Sequence, residues 1–507
     1  MNPPTRRITI SPAGGSLPLN SDVAAAWQHR PWAAVTESPG KHIRSVARQD
    51  WVPPLLYLIL DCAVWAALYA GISYVRGDAF FTTPSQFLLV DVVQLAVIVQ
   101  ALFIVGAYNR YTDARTLSYT AEHILALVAA AGISSLLLYS AATYDQTMKP
   151  SRGVLLLCFL LFIPISLAYR RVVSRFVAAS ISAKAFLVIG TGKLAEQFYN
   201  TYRRAGTRQR LEFVDIRKER SGEPIAGPGS PIIDGDLESK LNNLTRHYSG
   251  VILAEDIARF APDLLARLVR TQFQSTRVYT LESFYETHWG KVPLHALDAF
   301  WPLQSGFQLA RLSPYYYVKR LFDVVASTIG LLLAAPLCLV ISASIAATSG
   351  RPLFYRQQRV GRDEALFTIY KFRTMVERPE DDTDDIYTRK GDPRVTPLGR
   401  WLRKLRLDEL PQLWNVFRGD MTLIGPRAEW VRCAERYRAA IPLYHFRHLI
   451  KPGITGWAQV NYPYGESDAD AFEKLKYDLY YIRHYSLRLD AMIFLKTIYT
   501  MLFWKGR

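Results

Sequence analysis

Blocks of apolar residues, each near the roughly twenty that a membrane-spanning helix needs, occupy positions 52–75, 87–108, 124–142 and 154–173. A chain crossing lipid must satisfy its backbone internally, which leaves helices or a closed barrel, and these uninterrupted runs predict a four-helix bundle over residues 51–175. Residues 1–50 are rich in Pro, Gly, Ser and Arg without apolar periodicity, and predict a disordered cytoplasmic tail. The first apolar run starts too late for a secretory signal. Asp61 and Asp91 fall inside the first two blocks. A pairing between helices is expected of them rather than a transport pathway.

Basic residues orient the bundle. Arg6, Arg7, Arg30, Lys41, Arg44 and Arg48 precede it, Arg110 and Arg115 occupy its second loop, and Arg170, Arg171 and Arg175 follow it. Arg76, Lys149 and Arg152 mark the opposite side, so the count favours both ends in the cytoplasm. The net charge is +17. Because the cations border apolar blocks, anionic headgroups and phosphate substrates fit better than nucleic acid. Cys62, Cys158 and Cys338 lie in apolar blocks and no Cys-x-x-Cys pair occurs, so neither a disulfide framework nor a zinc site is expected.

A fifth apolar block, 321–349, follows Lys319 and Arg320 and precedes Arg351, Arg356 and Arg359. Pro336 in its middle removes a helical N–H. With cations at both ends, the block predicts a re-entrant helix that breaks at Pro336 and returns to the face it entered. The apolar stretch 489–504 carries Lys496 and is expected to lie in the interface.

Between these membrane segments, Phe186-Leu187-Val188-Ile189-Gly190-Thr191-Gly192 reads as a buried strand, a glycine turn and a helix start, with Ala195 following. Asp215 lies in a second strand candidate, 211–216. The spacing is that of a degenerate dinucleotide fingerprint, although the glycines serve a tight strand-to-helix turn equally well. A Rossmann-like α/β domain is predicted over 183–285 and a connector over 286–314.

The chemistry concentrates further on. Phe367-Thr368-Ile369-Tyr370-Lys371-Phe372-Arg373-Thr374-Met375 is followed by Arg403-Lys404-Leu405-Arg406-Leu407-Asp408-Glu409-Leu410-Pro411-Gln412, then Gly425-Pro426-Arg427, then Lys451-Pro452-Gly453-Ile454-Thr455-Gly456-Trp457-Ala458-Gln459-Val460. A carboxylate pair among arginines suits a phosphorus centre, with one carboxylate to attack it and guanidiniums to hold its oxygens. By residue type alone, Asp408 fits a helix cap ahead of Pro411 as well as a nucleophile. The acidic run 380–385 lacks interleaved glycine and reads as an exposed loop.

Taken in order, these motifs and the Lys319-Arg320-Leu321-Phe322-Asp323 entry to the proline-containing helix resemble the bacterial polyprenyl-phosphate hexose-1-phosphate transferases, in their long form. The resemblance implies a mixed membrane protein: a four-helix transmembrane bundle, a Rossmann-like middle domain, and a mainly α monotopic catalytic domain over 315–507. It implies transfer of a hexose-1-phosphate from a UDP-hexose to undecaprenyl phosphate, with release of UMP, as the first step of exopolysaccharide assembly. Asp408 would be the nucleophile, and Glu409 would help hold Mg²⁺ or deprotonate the lipid phosphate. Arg403, Arg427, Lys371 and Arg373 would bind substrate phosphates, with Asp408 and Glu409 as metal ligands. Partners would be inner-membrane lipids and a second copy of the chain, with the catalytic domain on the cytoplasmic face of the bacterial inner membrane. Asn461-Tyr462-Pro463-Tyr464-Gly465 resembles an exopolysaccharide-locus branch and leaves glucose and galactose both open, glucose leading because it is common in the family. Two rivals are a membrane-anchored nucleotide-sugar dehydratase or epimerase and a non-catalytic assembly scaffold. The first needs a Tyr-x-x-x-Lys pair, found only at Tyr315 and Lys319, outside the Rossmann-like region. The second is disfavoured by the intact Asp408-Glu409 pair.

Overall fold

The computed structural model describes residues 52–502 apart from 78–90, 110–111, 145–150, 183, 208, 257–258, 275, 298–300, 304–305, 377–391, 393, 464 and 466. The tail 1–50 and the acidic run 380–385 lie outside the described residues. The chain divides into two compact units, one built on residues 179–281 and the other on 47–178 together with 282–507.

The larger unit begins with helices α1 (Val52–Arg76), α2 (Gln94–Ile104), α3 (Leu117–Ala141) and α4 (Arg152–Ser182). Of these, α1, α3 and α4 include stretches long and apolar enough to cross a membrane, while the described part of the second block is a shorter apolar helix, Asp91–Ile104. That helix stops short of position 108 because the chain turns at Gly106, φ +73°, whose carbonyl accepts the Thr112 hydroxyl at 2.8 Å. The start of α3 comes earlier than its apolar run suggests, since Thr116 caps it by accepting the Tyr119 N–H. Trp65, Ile98, Leu102, Leu127, Cys158 and Phe162 form the bundle core.

One polar knot crosses this core. Arg170 grips Asp61 with both terminal nitrogens at 2.7 and 2.8 Å, and Tyr108 donates to the same carboxylate at 2.6 Å. Both charged side chains are fully buried, so α1 and α4 are tied by a bidentate, charge-assisted pair. Asp61 thus takes the expected pairing role. Arg170, counted above as an interfacial cation, is instead consumed inside the bundle, while Arg171 and Arg175 stay exposed.

The smaller unit is a parallel sheet of β1 (Ala185–Ile189), β2 (Leu211–Val214), β3 (Ile233–Asp234), β4 (Tyr248–Leu253) and β5 (Arg277–Thr280), in the order β3-β2-β1-β4-β5. Every residue of β1 is buried, as a strand covered on both faces requires. Helix α5 (Lys193–Arg204) starts at the glycine turn and α6 (Pro262–Gln274) precedes β5. Gly190 is obligatory there: φ is +124°, and a Cβ would meet the Ala254 carbonyl at 2.7 Å. Asp215, the fingerprint acid, accepts the backbone N–H groups of Arg217 and Arg220 at 3.1 and 2.9 Å, and Arg220 reaches back to the Thr191 carbonyl. The acid and the glycine turn are thereby engaged in holding their own loops, which favours the tight-turn reading.

In the rest of the larger unit, α7 (Tyr315–Ser349) is one continuous helix through Pro336. The expected break is absent as an interruption of the helix: proline removes one N–H, and the turns on either side carry the run through. Both arms of α7 touch the same folded body. Lys319 bonds the Ile424 carbonyl and pairs with Asp490, and Asp323 accepts from Thr422 and the Leu423 N–H. Beyond the proline, Ile341 and Ile345 pack with Phe372 and Leu402.

A hairpin of β6 (Phe354–Val360) and β7 (Leu366–Phe372) leads to α8 (Pro397–Lys404) and α9 (Gln412–Arg418). Strands β8 (Thr422–Ile424) and β9 (Gly453–Thr455) pair in parallel. Glycines make that pairing possible: a Cβ on Gly425 would meet the Lys451 carbonyl at 2.6 Å, and one on Gly453 the Gly425 nitrogen at 2.1 Å. The Gly-Pro-Arg and Lys-Pro-Gly motifs are two loops in contact. Helices α10 (Asp468–Arg483) and α11 (Leu487–Leu502) close the chain. Their core of Leu479, Tyr481, Ile482 and Ile493 with Tyr444 also takes in Val292, Leu294, Trp301 and Phe307, from the stretch read as a connector. One face of α11 is packed, with Leu495 in the bundle core and Lys496 3.7 Å from Glu122 of α3, while Leu487 and Phe494 on it stay exposed.

Candidate active site

Asp408 and Glu409 sit in a single 3₁₀ turn, Leu407–Glu409, between α8 and α9. Arg406 enters that turn in the left-handed region at φ 54°, a conformation of order 1 kcal/mol uphill for a residue with a side chain. The turn buries Asp408. Helix α9 starts only after Pro411, with no side-chain cap bond. The geometry therefore gives Asp408 no cap to supply at α9.

Glu409 is the electrostatic hub. Lys371, from the end of β7, donates to its Oε1 at 2.9 Å, Arg427 approaches the same oxygen at 3.7 Å, and Arg406 lies 3.7 Å from Oε2. Burial alone would raise the Glu409 carboxyl, but Lys371, Arg427 and Arg406 overcome it and hold the pKa at about 2. Glu409 is an anion at any physiological pH. Burial lowers the Lys371 ammonium below its ordinary range, with Glu409 opposing that shift.

Lys371, Glu409 and Arg427 line a cleft of about 250 Å³, open to solvent, together with Arg359, Gln412 and Met421. Three cations thus face it against one carboxylate. That balance, with Asp408 next in sequence to Glu409, suits a phosphate or diphosphate dianion.

Two expected phosphate ligands are placed differently. Arg403, in the last turn of α8, directs Nη1 to the Met375 sulfur at 3.7 Å. Arg373 donates to the carbonyls of Ser349, Gly350 (2.9 Å) and Arg351 (2.9 Å). It clasps the C-terminal end of α7 to the hairpin, where a cation also complements the helix dipole. Arg373→Gln is therefore expected to lower the thermal midpoint by several degrees while leaving the donor KM unchanged. A rise in KM at unchanged stability would return Arg373 to substrate binding.

Sequence reasoning missed the layer behind Arg427. Arg447 is buried, bonds the Arg427 carbonyl at 3.1 Å, and pairs with Asp478 at 2.9 Å and Glu429 at 3.4 Å. Burial pushes the Glu429 carboxyl up, yet Arg447, Arg359 and Arg427 bring it below the usual range. Arg359, read from the sequence only as a cation after the fifth apolar block, bonds the Ala428 carbonyl through Nη1 at 3.1 Å. Neither Glu429 nor Arg447 carried a signal, because their partners come from distant segments. Among the described residues no three metal-ligating side chains converge. Mg²⁺ commonly takes one or two carboxylates and completes its shell with substrate oxygens and water, and Asp408 and Glu409 match that number and type of donor.

The bacterial sugar transferase family profile matches residues 314–504. The chain is 40% identical over 238 residues to the UDP-N-acetylgalactosamine-undecaprenyl-phosphate N-acetylgalactosaminephosphotransferase of Aeromonas hydrophila, covering 46% of this chain and 54% of that protein. It is 37% identical over 256 residues to the UDP-glucose:undecaprenyl-phosphate glucose-1-phosphate transferase of Caulobacter vibrioides, covering 49% of this chain and 95% of that one. It is also 37% identical over 186 residues to the exopolysaccharide production protein PSS of Rhizobium leguminosarum, covering 36% and 93%. The chain thus spans about half the length of the Aeromonas relative and nearly all of the other two.

Proposed function

The chain belongs to the bacterial sugar transferase family, and on that premise we propose that it transfers a hexose-1-phosphate from a UDP-sugar to undecaprenyl phosphate, releasing UMP. The observation that carries this reading is the clamp of Lys371 and Arg427 on Glu409 beside the buried Asp408. The donor's diphosphate meets Lys371, Arg427 and Arg359 in the cleft. An Asp408 carboxylate oxygen attacks the sugar-bearing phosphorus. A new oxygen–phosphorus bond forms, the bridging P–O bond breaks, and its electron pair leaves with UMP. An oxygen of undecaprenyl phosphate then attacks the same phosphorus and returns Asp408 as a carboxylate. One phosphoanhydride replaces another, so catalysis rests on positioning and charge neutralisation. Glu409, held anionic, fixes Lys371 and Arg427 in place. Asp408 and Glu409 would hold Mg²⁺, which when bound neutralises diphosphate charge.

The contact of both α7 arms with one body supports a re-entrant course, because a straight 35-residue helix is ~52 Å long and would carry its far end away. On that reading the cleft faces the cytoplasm, where UDP-sugars reside, at the inner membrane. The Rhizobium relative's name supports a role in exopolysaccharide production, and we place this transfer at its first step. Glucose is the proposed sugar, and the Aeromonas match makes N-acetylgalactosamine the specific alternative. The test is UMP release by the detergent-solubilised full chain with undecaprenyl phosphate, Mg²⁺ and each of UDP-glucose, UDP-galactose and UDP-N-acetylgalactosamine. Release with one donor is expected. Sugar conversion that needs NAD, or silence with every donor, defeats the proposal.

A further inference from the structure

Helix α9 buries two side-chain amides, and only one of them is engaged. Asn415 is fully buried: its Nδ2 donates to the Thr368 carbonyl at 2.7 Å and its Oδ1 accepts the Tyr370 N–H at 3.2 Å. It fastens the helix to β7. Gln412, one turn earlier, is 3% exposed, and its side chain makes no hydrogen bond with the other described residues. A buried amide without a partner is uncommon, because nothing offsets its desolvation.

Gln412 lines the reaction cleft with Lys371, Glu409 and Arg427. Glu409, three positions before it, is already served by Lys371 and Arg427 at Oε1 and by Arg406 at Oε2. Ile369, Met421 and Ile454 supply apolar wall. The amide is left for what enters the cleft. Leu410 and Pro411 keep right-handed helical torsions, φ −52°, ψ −39° and φ −61°, ψ −17°, so the chain stays helical from the Asp-Glu turn into α9. Positions three and four apart on such a run are neighbours, which sets Gln412 beside Glu409 and one turn from Asp408. An amide N–H gives a phosphate oxygen a hydrogen bond without adding charge where Lys371, Arg427 and Arg359 already stand.

We propose that Gln412 contacts the donor directly: its Nε2–H donates to a non-bridging oxygen of the sugar-bearing phosphate, whose phosphorus Asp408 attacks. This assignment rests on the transferase reading above. The contact holds the phosphorus one helical turn from the attacking carboxylate, in the geometry that in-line displacement needs. The cations supply the charge, and Gln412 supplies the placement.

The test uses the full chain in detergent with Mg²⁺ and compares UDP, which carries both phosphates, with UMP, which lacks the sugar-bearing one. Gln412→Met keeps the length of the side chain and removes its polar atoms. UDP affinity should fall about tenfold, as loss of one hydrogen bond to a charged group implies, while UMP affinity holds. The thermal midpoint should stay level or rise, because a buried amide without a partner is gone. For UMP release from the donor that the wild type accepts, kcat/KM should fall at least as far. Gln412→Glu, the same in shape, should weaken UDP more than Gln412→Met does, since its carboxylate repels the phosphate. Unchanged UDP affinity in Gln412→Met overturns the proposal. Equal losses for UMP and UDP overturn it too, by moving the amide to the nucleotide's inner phosphate. A loss confined to the UDP-sugar would assign Gln412 to a sugar hydroxyl and equally remove the phosphate contact. A wild type that binds UDP yet releases no UMP from any donor defeats the transferase reading instead, and the comparison of UDP with UMP still judges Gln412.

Discussion

Asp408→Asn is expected to reduce UMP-releasing turnover by at least ~10³-fold, because an amide keeps the size of the side chain and loses its nucleophilic oxygen. Fold and donor binding should survive, since the phosphate-facing cations Lys371 and Arg427 are held by Glu409. The thermal midpoint and UDP affinity are the controls. Brief exposure of the wild type to donor labelled in its sugar-bearing phosphate should leave label on the protein, and the Asn variant should carry none. Full turnover in Asp408→Asn would remove Asp408 from the chemistry. Glu409→Gln makes an informative contrast: it strips Lys371 of its partner and should weaken donor binding as well as turnover.

The largest stability effect is expected far from that cleft. Arg170→Met would leave the Asp61 carboxylate buried with only tyrosine hydroxyls to satisfy it. Removing one member of a buried ion pair costs about 3–5 kcal/mol. The variant should unfold at a markedly lower temperature in detergent, whereas replacing both partners by apolar residues, Asp61→Leu with Arg170→Met, should recover most of the loss. If the single and double variants were equally stable, the pair would have no organising role in the bundle.

What was legible in the sequence follows from how local each cause is. Long apolar runs marked the helices long and apolar enough to cross a membrane, and the buried strand ahead of Gly190 marked the parallel sheet, because both patterns are written in consecutive residues. Lys371 and Arg427 could be expected near Glu409 from their motifs, and the structure brings them there. Helix ends were less legible: Thr116 and Gly106 moved the bounds of α3 and α2 through single hydrogen bonds and one backbone torsion. Partners set by tertiary approach left no local trace. Arg170 finds Asp61 across 109 positions, and Arg373 reads as a phosphate ligand until the end of α7 arrives beneath it. Pro336 shows the opposite limit: a local rule predicted an interruption, and the helix runs on through the proline.

The packing of α11 has a consequence for how this protein is divided in practice. Its Leu495 side completes the same apolar cluster as Trp65 and Phe162, so the C-terminal end of the chain is stitched to its N-terminal helices. A fragment trimmed to the sugar-transfer region would carry that stripe naked into water. Such a piece should clump or demand extra detergent until Leu495 and its neighbours are exchanged for polar residues.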